Sequence, residues 1–227
     1  MRKIILFICI VLFLFSVFQI SLYIMDSKKA SDIYEENRKI YHNSNKDVQS
    51  LKEVSNDIIG WIKIPNTRID YPVVKGKDND YYLNHDINGN ENRHGAIFMD
   101  YRSNPSEDKN IIIYGHHMKD GTMFKDLVSF KDKNFFNANS FIYLDIENKK
   151  SKYEIFSVYI TGPDSSNIPI TFNSIDDYHD FFSDARDRSL FSSEVEFSEE
   201  GRILTLYTCT YEYEDARLIV HAQSVEE

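Results

Sequence analysis

Cysteine is scarce in this sequence, since Cys9 and Cys209 are the only two among 227 residues. Cys9 lies in a long apolar run, where a cysteine usually serves as a small apolar side chain. Cys209 therefore has no partner for an internal disulfide. If the second half of the chain is exported to an oxidising compartment, Cys209 is either a buried inert side chain or a thiol kept for its reactivity.

Other features are missing as well. The sequence has no internal repeat, no low-complexity tract, no glycine-rich phosphate loop and no His/Cys/Asp cluster at metal-ligand spacing, and we predict neither a metal nor an organic cofactor. A basic patch is also missing, and the formal net charge is −10. Acidic chains bind nucleic acids and anionic lipid surfaces poorly, so nucleic acid is not an expected partner.

One long uncharged run, Ile4 to Met25, is present. About 20 apolar residues suffice for a helix to cross a hydrocarbon layer. A cleaved signal peptide is the alternative, but its apolar core should be only ~7–15 residues long and end in a small-x-small site, which is absent here. Arg2 and Lys3 favour a cytoplasmic N-terminus. We predict a single-pass anchor over residues 1–25, with the rest of the chain outside the cell membrane. Subtracting the two positive charges of Arg2 and Lys3 leaves that part at −12.

The pattern of apolar residues divides the predicted exported part into two segments. Residues 26–57 are polar with apolar positions at helical spacing, which predicts a helical stalk that packs on the following domain and breaks near "HNSNKD". Residues 58–227 consist of short β-rich runs, which predicts a mainly β closed barrel. The runs are "GWIKIP", "RIDYPVV", "AIFMD", "NIIIYGHH", "SFIYLDI", "KYEIFSVYI", "RILTLYTC" and "ARLIVHA". Helices are predicted at "MFKDLVSF" and at "SIDDYHDFFSDARDRSLF", with Ser174 or Asp176 as the N-cap of the second.

His116 is a candidate partner for the thiol of Cys209. Only a few per cent of a thiol with an unperturbed pKa of ~8.5 is ionised at neutral pH, so nucleophilic chemistry needs a neighbouring histidine or cation. Strand alternation in "NIIIYGHHM" puts His116 on the same face as Ile112 and Tyr114, and His117 on the other face if the strand continues. Adjacent strand residues do not readily share an ion, which argues against a metal site at this pair. His85, His94 and His221 are expected to be core or rim histidines.

Arg217 opens the last strand after the hairpin "TYEYED". If the register pairs it with Cys209, both side chains project from one face. A guanidinium can then hold a developing oxyanion or a substrate carbonyl. The alternative is a solvated ion pair with Glu212, Glu214 or Asp215, and the residues alone leave both interpretations open.

Together these motifs resemble the sortase family, whose members carry a T-L-x-T-C strand end, here "TLYTC", an arginine on the next strand and a histidine motif matched by "YGHHM". The stretches "NDIIGWIKIPNTRIDYPVV" and "DNDYYLNHD", the stalk and the helical insertion before the cysteine strand are similar to class B, and the resemblance covers Asn56 to His221. It implies a membrane-anchored β-barrel cysteine transpeptidase. Such an enzyme cuts a C-terminal sorting signal of a secreted protein after threonine, forms a thioester, and transfers the protein to an amine of peptidoglycan or its lipid-linked precursor. The implied catalytic residues are Cys209, His116 and Arg217.

The resemblance also implies substrate-binding residues, which are Asn79, Leu83, Ile168, Tyr207 and Thr208. The sequence departs from the family pattern at Asn167, where an aromatic residue is frequent, and at Tyr207, where a small hydroxyl residue is frequent. Two other functions were weighed. A cysteine protease without transfer usually has the cysteine before the histidine, the reverse of the order here. A non-enzymatic, membrane-tethered binding domain would keep Cys209 as an inert core residue.

Overall fold

A closed β-barrel forms the body of the protein. The computed structural model describes residues 2–162 and 167–225, and within them eight strands close in the order β1-β2-β3-β4-β7-β8-β6-β5. The strands are β1 (Ile58–Lys63), β2 (Asp70–Lys75), β3 (Ile97–Met99), β4 (Asn110–Tyr114), β5 (Phe141–Ile146), β6 (Lys149–Thr161), β7 (Ile203–Cys209) and β8 (Arg217–Val225). This confirms the predicted fold class. The predicted domain limits at residues 1 and 227 lie outside the described residues.

The helices lie outside the barrel. They are α1 (Arg2–Asn43), α2 (Lys133–Ala138) and α3 (Ile175–Asp187), with 3-10 helices at Val48–Leu51, Tyr81–Leu83 and Phe124–Lys131. The predicted helix at "MFKDLVSF" is one of the 3-10 helices. Ser174 is the N-cap of α3, because its side chain accepts a hydrogen bond from the Asp177 N–H. The helix α3 covers the outer face of β6 and β7 through Tyr178 and Phe182.

Strands β4 and β7 run parallel to each other, which determines where the candidate residues meet. Ile111, Ile113, Leu204 and Leu206 fill the barrel interior. The alternate residues face outward but are also covered, Ile112 among them. Strands buried on both faces are mostly apolar, as seen in "NIIIY" and "ILTLY", whose polar residues Asn110 and Thr205 are buried as well. Because the strands are parallel, their carboxyl ends emerge at the same rim.

The N-terminal helix has two different halves. The large apolar side chains between Ile4 and Met25 are exposed, and length and composition make α1 a candidate membrane span. Its second half packs on the barrel, where the Tyr41 ring stacks on Trp61 with centroids 4.2 Å apart. The Tyr34 hydroxyl donates to the Gly95 carbonyl at 2.6 Å. The helix ends at Asn43, inside the break predicted at "HNSNKD".

Candidate active site

The ends of β4 and β7 are held together at one rim of the barrel. Their last paired residues are Tyr114 and Tyr207. Beyond them, the Gly115 N–H donates to the Tyr207 carbonyl at 3.2 Å, and the Thr208 hydroxyl donates to the Gly115 carbonyl at 2.7 Å. The ladder itself ends at Tyr114 and Tyr207. The same register, extended by two residues, would pair His116 with Cys209, and laterally paired residues project from the same face.

Gly115 is tightly packed by the side chains of Ile97 on β3 and Phe124. A Cβ atom at this position would lie 2.5 Å from Ile97 Cδ1 and 2.7 Å from the Phe124 ring. Real Cβ atoms do not approach other heavy atoms this closely, so any other residue would push the strand end away. Gly115 therefore leaves room for the side chains of Ile97 and Phe124 immediately before His116.

Arg217 is the direct partner of Cys209 in the antiparallel ladder between β7 and β8. The thiol is free and half-buried. The guanidinium lies 3.6 Å from the carboxylate of Asp215 and also donates to the Ala216 carbonyl at 3.2 Å. Asp215 is 64% exposed, and an ion pair this long and open to water contributes little to stability. The carboxylate therefore does not explain why an arginine lies beside the thiol.

The imidazole of His116 is oriented by a backbone group. Its Nε2–H donates to the Leu83 carbonyl at 2.7 Å. Because a carbonyl only accepts, the proton of the neutral ring lies on Nε2, and Nδ1 is the basic nitrogen. Leu83 was predicted to bind substrate, and its contact with His116 could not be predicted because every residue carries the same backbone carbonyl. The side chain of Leu83 is half-buried and packs on the core.

His117 has a different environment. Strand β4 ends at Tyr114, so the alternation does not extend to this residue. Its ring is buried, and its Nδ1–H donates to the Cys209 carbonyl at 3.0 Å. Burial lowers the pKa of His117, in spite of the hydrogen bond to that carbonyl. The Tyr211 hydroxyl donates to the His117 carbonyl at 3.0 Å, so His117 joins the β7–β8 hairpin to the loop after β4.

Asn79 is engaged with neighbouring protein groups. Its amide donates to the Asp100 carboxylate at 3.1 Å and accepts from the Tyr101 N–H at 3.0 Å. Asp100 also accepts from the Tyr114 hydroxyl at 2.9 Å and from Arg102. Burial acts to raise the pKa of Asp100, but its hydrogen bonds with Arg102, Tyr114 and Asn79 outweigh it and the pKa is lowered. Asn79 and Tyr114 are therefore joined through the carboxylate of Asp100, a contact that no sequence pattern indicates.

Ile168 and Tyr207 lie together on the outward face of the barrel. Both belong to a cluster built on Ile112, and Ile168 is buried there. The ring of Tyr207 meets that of Tyr114 edge to face, with centroids 5.3 Å apart. Since Tyr207 is two residues before Cys209 on β7, it shares the face of the thiol. Asn167, the other departure from the family pattern, is exposed.

Thr208 projects in the opposite direction. Its side chain is 1% exposed, and its hydroxyl is bonded to the Gly115 carbonyl. In the free protein this residue joins the ends of β7 and β4, so its side chain does not line the outward face. The structure therefore does not present Thr208 to a substrate, because the whole residue is buried.

A thiol paired with an arginine on the next strand, at the rim where His116 follows β4, has the types of group that an enzyme with a cysteine nucleophile uses. The sulfur can form a covalent intermediate, the imidazole can move a proton, and the guanidinium can stabilise an oxyanion. Comparison with known proteins gives the family. A family model described as the sortase domain matches residues 62–225. The chain belongs to the sortase family.

The similar proteins also indicate the branch. Sortase B of Listeria monocytogenes is 37% identical over 226 residues, which cover 94% of this chain and 92% of that protein. A crystal structure of sortase B from Bacillus anthracis in complex with AAEK1 has 35% identity and a TM-score of 0.83, and covers 90% of this chain and 100% of that chain. A Staphylococcus aureus sortase B–substrate complex has 32% identity and a TM-score of 0.82, over 89% of this chain and 99% of that one.

These matches support class B and, with it, a cysteine transpeptidase. Sortases act at the cell surface on proteins with sorting signals and on cell-wall precursors. The alternative of a non-enzymatic binding domain is therefore not supported.

Proposed function

We propose that this chain cleaves a C-terminal sorting signal after a threonine through a thioester on Cys209, and then transfers the threonine carboxyl group to a peptidoglycan amine. The observation that carries the proposal is the pairing of Cys209 with Arg217, at the rim where His116 follows the last β4–β7 pair by two residues. Three chemically distinct groups then surround one reacting carbonyl.

Acylation begins with the thiol proton. Nδ1 of His116, the nitrogen not bonded to Leu83, takes that proton, and the sulfur attacks the carbonyl carbon of the threonine. The carbonyl oxygen becomes an oxyanion, which accepts hydrogen bonds from the guanidinium of Arg217. As the intermediate collapses, the C–N bond breaks, and the imidazolium returns its proton to the leaving amine. The product is a thioester on Cys209.

Transfer reverses these roles. The acceptor amine attacks the thioester carbonyl while His116 takes a proton from it, and Arg217 again stabilises the oxyanion. The C–S bond then breaks, an amide forms, and the proton returns to the sulfur of Cys209. Water in place of the amine would give hydrolysis, which is the reaction of a cysteine protease without transfer.

The N-terminal helix fits a membrane anchor. Its first half is apolar and exposed, and its second half is packed on the barrel. We accordingly divide the chain into an anchor over residues 1–25 with its N-terminus in the cytoplasm, a stalk over 26–57 and a catalytic barrel over 58–227. This topology holds the active site outside the cell close to the membrane, where secreted proteins and lipid-linked wall precursors meet.

The test is intact-mass spectrometry of the chain incubated with a panel of peptides that carry candidate sorting signals. We expect one peptide class to add its N-terminal fragment to Cys209, and an added amine to convert this adduct to a transfer product. The Cys209→Ala variant is the matched control and should give neither species while keeping its fold. Hydrolysis that no amine diverts would identify the enzyme as a protease, and turnover by Cys209→Ala would remove the thiol from the mechanism.

A further inference from the structure

Thr205 is the first threonine of "TLYTC", and the mechanism above gives it no role. It lies four residues before Cys209 on the outward face of β7, yet it is completely buried. Its hydroxyl donates to the Asn110 side-chain oxygen at 2.8 Å and lies 2.9 Å from Nδ1 of His221. These contacts join three strands, since Asn110 begins β4 and His221 lies on β8.

The direction of each hydrogen bond follows from its acceptor. The Asn110 amide donates its N–H to the Pro169 carbonyl at 2.7 Å, which turns its oxygen towards Thr205. Thr205 has one proton and gives it to that oxygen, so it must accept from the Nδ1–H of His221. Nε2 of His221 is then unprotonated and accepts from the Tyr159 hydroxyl at 3.1 Å.

The result is a hydrogen-bond chain that runs one way. It passes from Tyr159 through His221, Thr205 and Asn110 to the Pro169 carbonyl. Burial, with the nearby charge of Arg188, lowers the pKa of His221 to about 3, so the ring stays neutral at physiological pH. Each described side chain in this series of hydrogen bonds therefore has the donor or acceptor that its neighbour needs.

The last link of the chain holds the segment 167–170. Asn110 binds it twice, by its side chain to the Pro169 carbonyl and by its backbone N–H to the Ile170 carbonyl at 3.1 Å. Proline has no N–H, so the carbonyl is the only polar backbone group with which residue 169 can be held. Ile168 is directly before it and packs in the cluster that includes Tyr207, two residues from the thiol.

We propose that Thr205, His221 and Asn110 are positioning residues that hold the segment 167–170, so that Ile168 forms a rigid apolar wall and selects an apolar side chain of the sorting signal. This inference rests on the proposed function, because it assigns that wall to the peptide groove. It gives the first threonine of the motif a role that is independent of the chemical step. The expected effect of losing the hydroxyl is therefore on peptide affinity and selectivity, while the reactivity of Cys209 remains.

The test compares Thr205→Val with Thr205→Ser in the full chain, by hydrogen exchange of the segment 167–172 and by peptide kinetics. Valine keeps the shape but leaves His221 and Asn110 without their partner, whereas serine retains the hydroxyl. For Thr205→Val we expect faster exchange in the segment, a KM for the sorting peptide raised about tenfold, weaker discrimination among apolar side chains, and little change in kcat or thiol alkylation. Thr205→Ser should restore the three altered properties.

Ser157→Ala is the matched control, since it also removes a buried hydroxyl. That hydroxyl donates to the Ala185 carbonyl in α3 and is not part of the hydrogen-bond series from Tyr159 to Pro169. If Thr205→Val lowers the melting temperature as Ser157→Ala does, with unchanged exchange in 167–172 and unchanged KM, the positioning role is overturned. Should Thr205→Val not fold, Asn110→Asp must give the same signature in hydrogen exchange and KM, since it keeps the oxygen that accepts from Thr205 and replaces the donor to Pro169 with a carboxyl oxygen. A wild-type chain that turns over no sorting peptide would defeat the proposed function, and unaltered exchange in Thr205→Val would still defeat the positioning role on its own.

Discussion

Cys209 and Arg217 are opposite each other in the last pair of the β7–β8 ladder, on either side of the hairpin that joins the two strands. Paired residues in an antiparallel ladder project to the same side. When the β7–β8 hairpin forms in this register, the side chains of Arg217 and Cys209 lie on the same side of the sheet. The exposed carboxylate of Asp215, 3.6 Å away, competes for the same guanidinium.

For Arg217→Lys we expect kcat to fall by ~10²–10³, because lysine keeps the charge but loses the planar pair of donors that an oxyanion requires. The melting temperature should hardly change, since an exposed ion pair contributes only about 0–1 kcal/mol. The measurement is amine-dependent transfer, with thiol alkylation to verify that Cys209 remains accessible. Asp215→Asn is the control and should leave the rate nearly unchanged. Near wild-type transfer by Arg217→Lys would assign the arginine to an ion pair only.

The two adjacent histidines should respond differently to the same substitution. His116→Gln should abolish thioester formation, because an amide cannot take up the thiol proton. His117→Gln should retain most of the activity, since glutamine can still donate to the Cys209 carbonyl. Adduct formation followed by mass spectrometry measures both. If His117→Gln were the inactive variant, the catalytic assignment would move to that residue.

The free energy of unfolding should decrease as the pH falls from about 6.5 to about 5. The folded pKa of His221, about 3, lies below the ordinary value near 6.5, so in this window the unfolded chain binds the additional proton. His117, whose pKa is also lowered by burial, acts in the same direction. One such group lowers stability by at most about 1.4 kcal/mol per pH unit. The lowered pKa of Asp120 matters only in more acidic solution, where that carboxylate becomes protonated.

Denaturant unfolding at pH 7, 6 and 5 measures this slope, and His221→Gln provides the comparison. The variant is expected to be less stable at pH 7 but to lose less stability between pH 6.5 and 5 than the wild type. Equal slopes for the two proteins would mean that His221 does not titrate in the unfolding reaction.

A chain that begins at Asp26 should be soluble without detergent and should fold without metal. The residues removed carry the exposed apolar surface of α1, whereas Tyr34 and Tyr41, which pack on the barrel, are retained. The contact between Ser27 and Asp120, in the loop after His116, is also retained. Gel filtration and circular dichroism, with and without chelator, are the measurements. Unfolding by the chelator, or aggregation of the shortened chain, would contradict the expectation.

The sequence by itself determined the barrel and the residues with reactive side chains. Strand alternation has a period of two, so "NIIIYGHH" and "TLYTC" already specify which residues face the core and which share a face with His116 and Cys209. The short hairpin limits the possible register, and Arg217 could be predicted near the thiol for that reason. The choice between a catalytic arginine and an ion pair stayed open, because both interpretations use the same local pattern.

Only the tertiary structure decided how these groups are supported. The carbonyl that orients His116 belongs to Leu83, and the amide that holds Pro169 belongs to Asn110, far away in sequence in each case. Backbone carbonyls are the same at every residue, so no sequence pattern can show which one a side chain will reach. The same applies to Thr208, whose side chain is turned inward by its bond to Gly115, and to Asn79, which is engaged by Asp100. Strand pairing brings these distant partners within hydrogen-bond distance, and that pairing exists only once the barrel has closed.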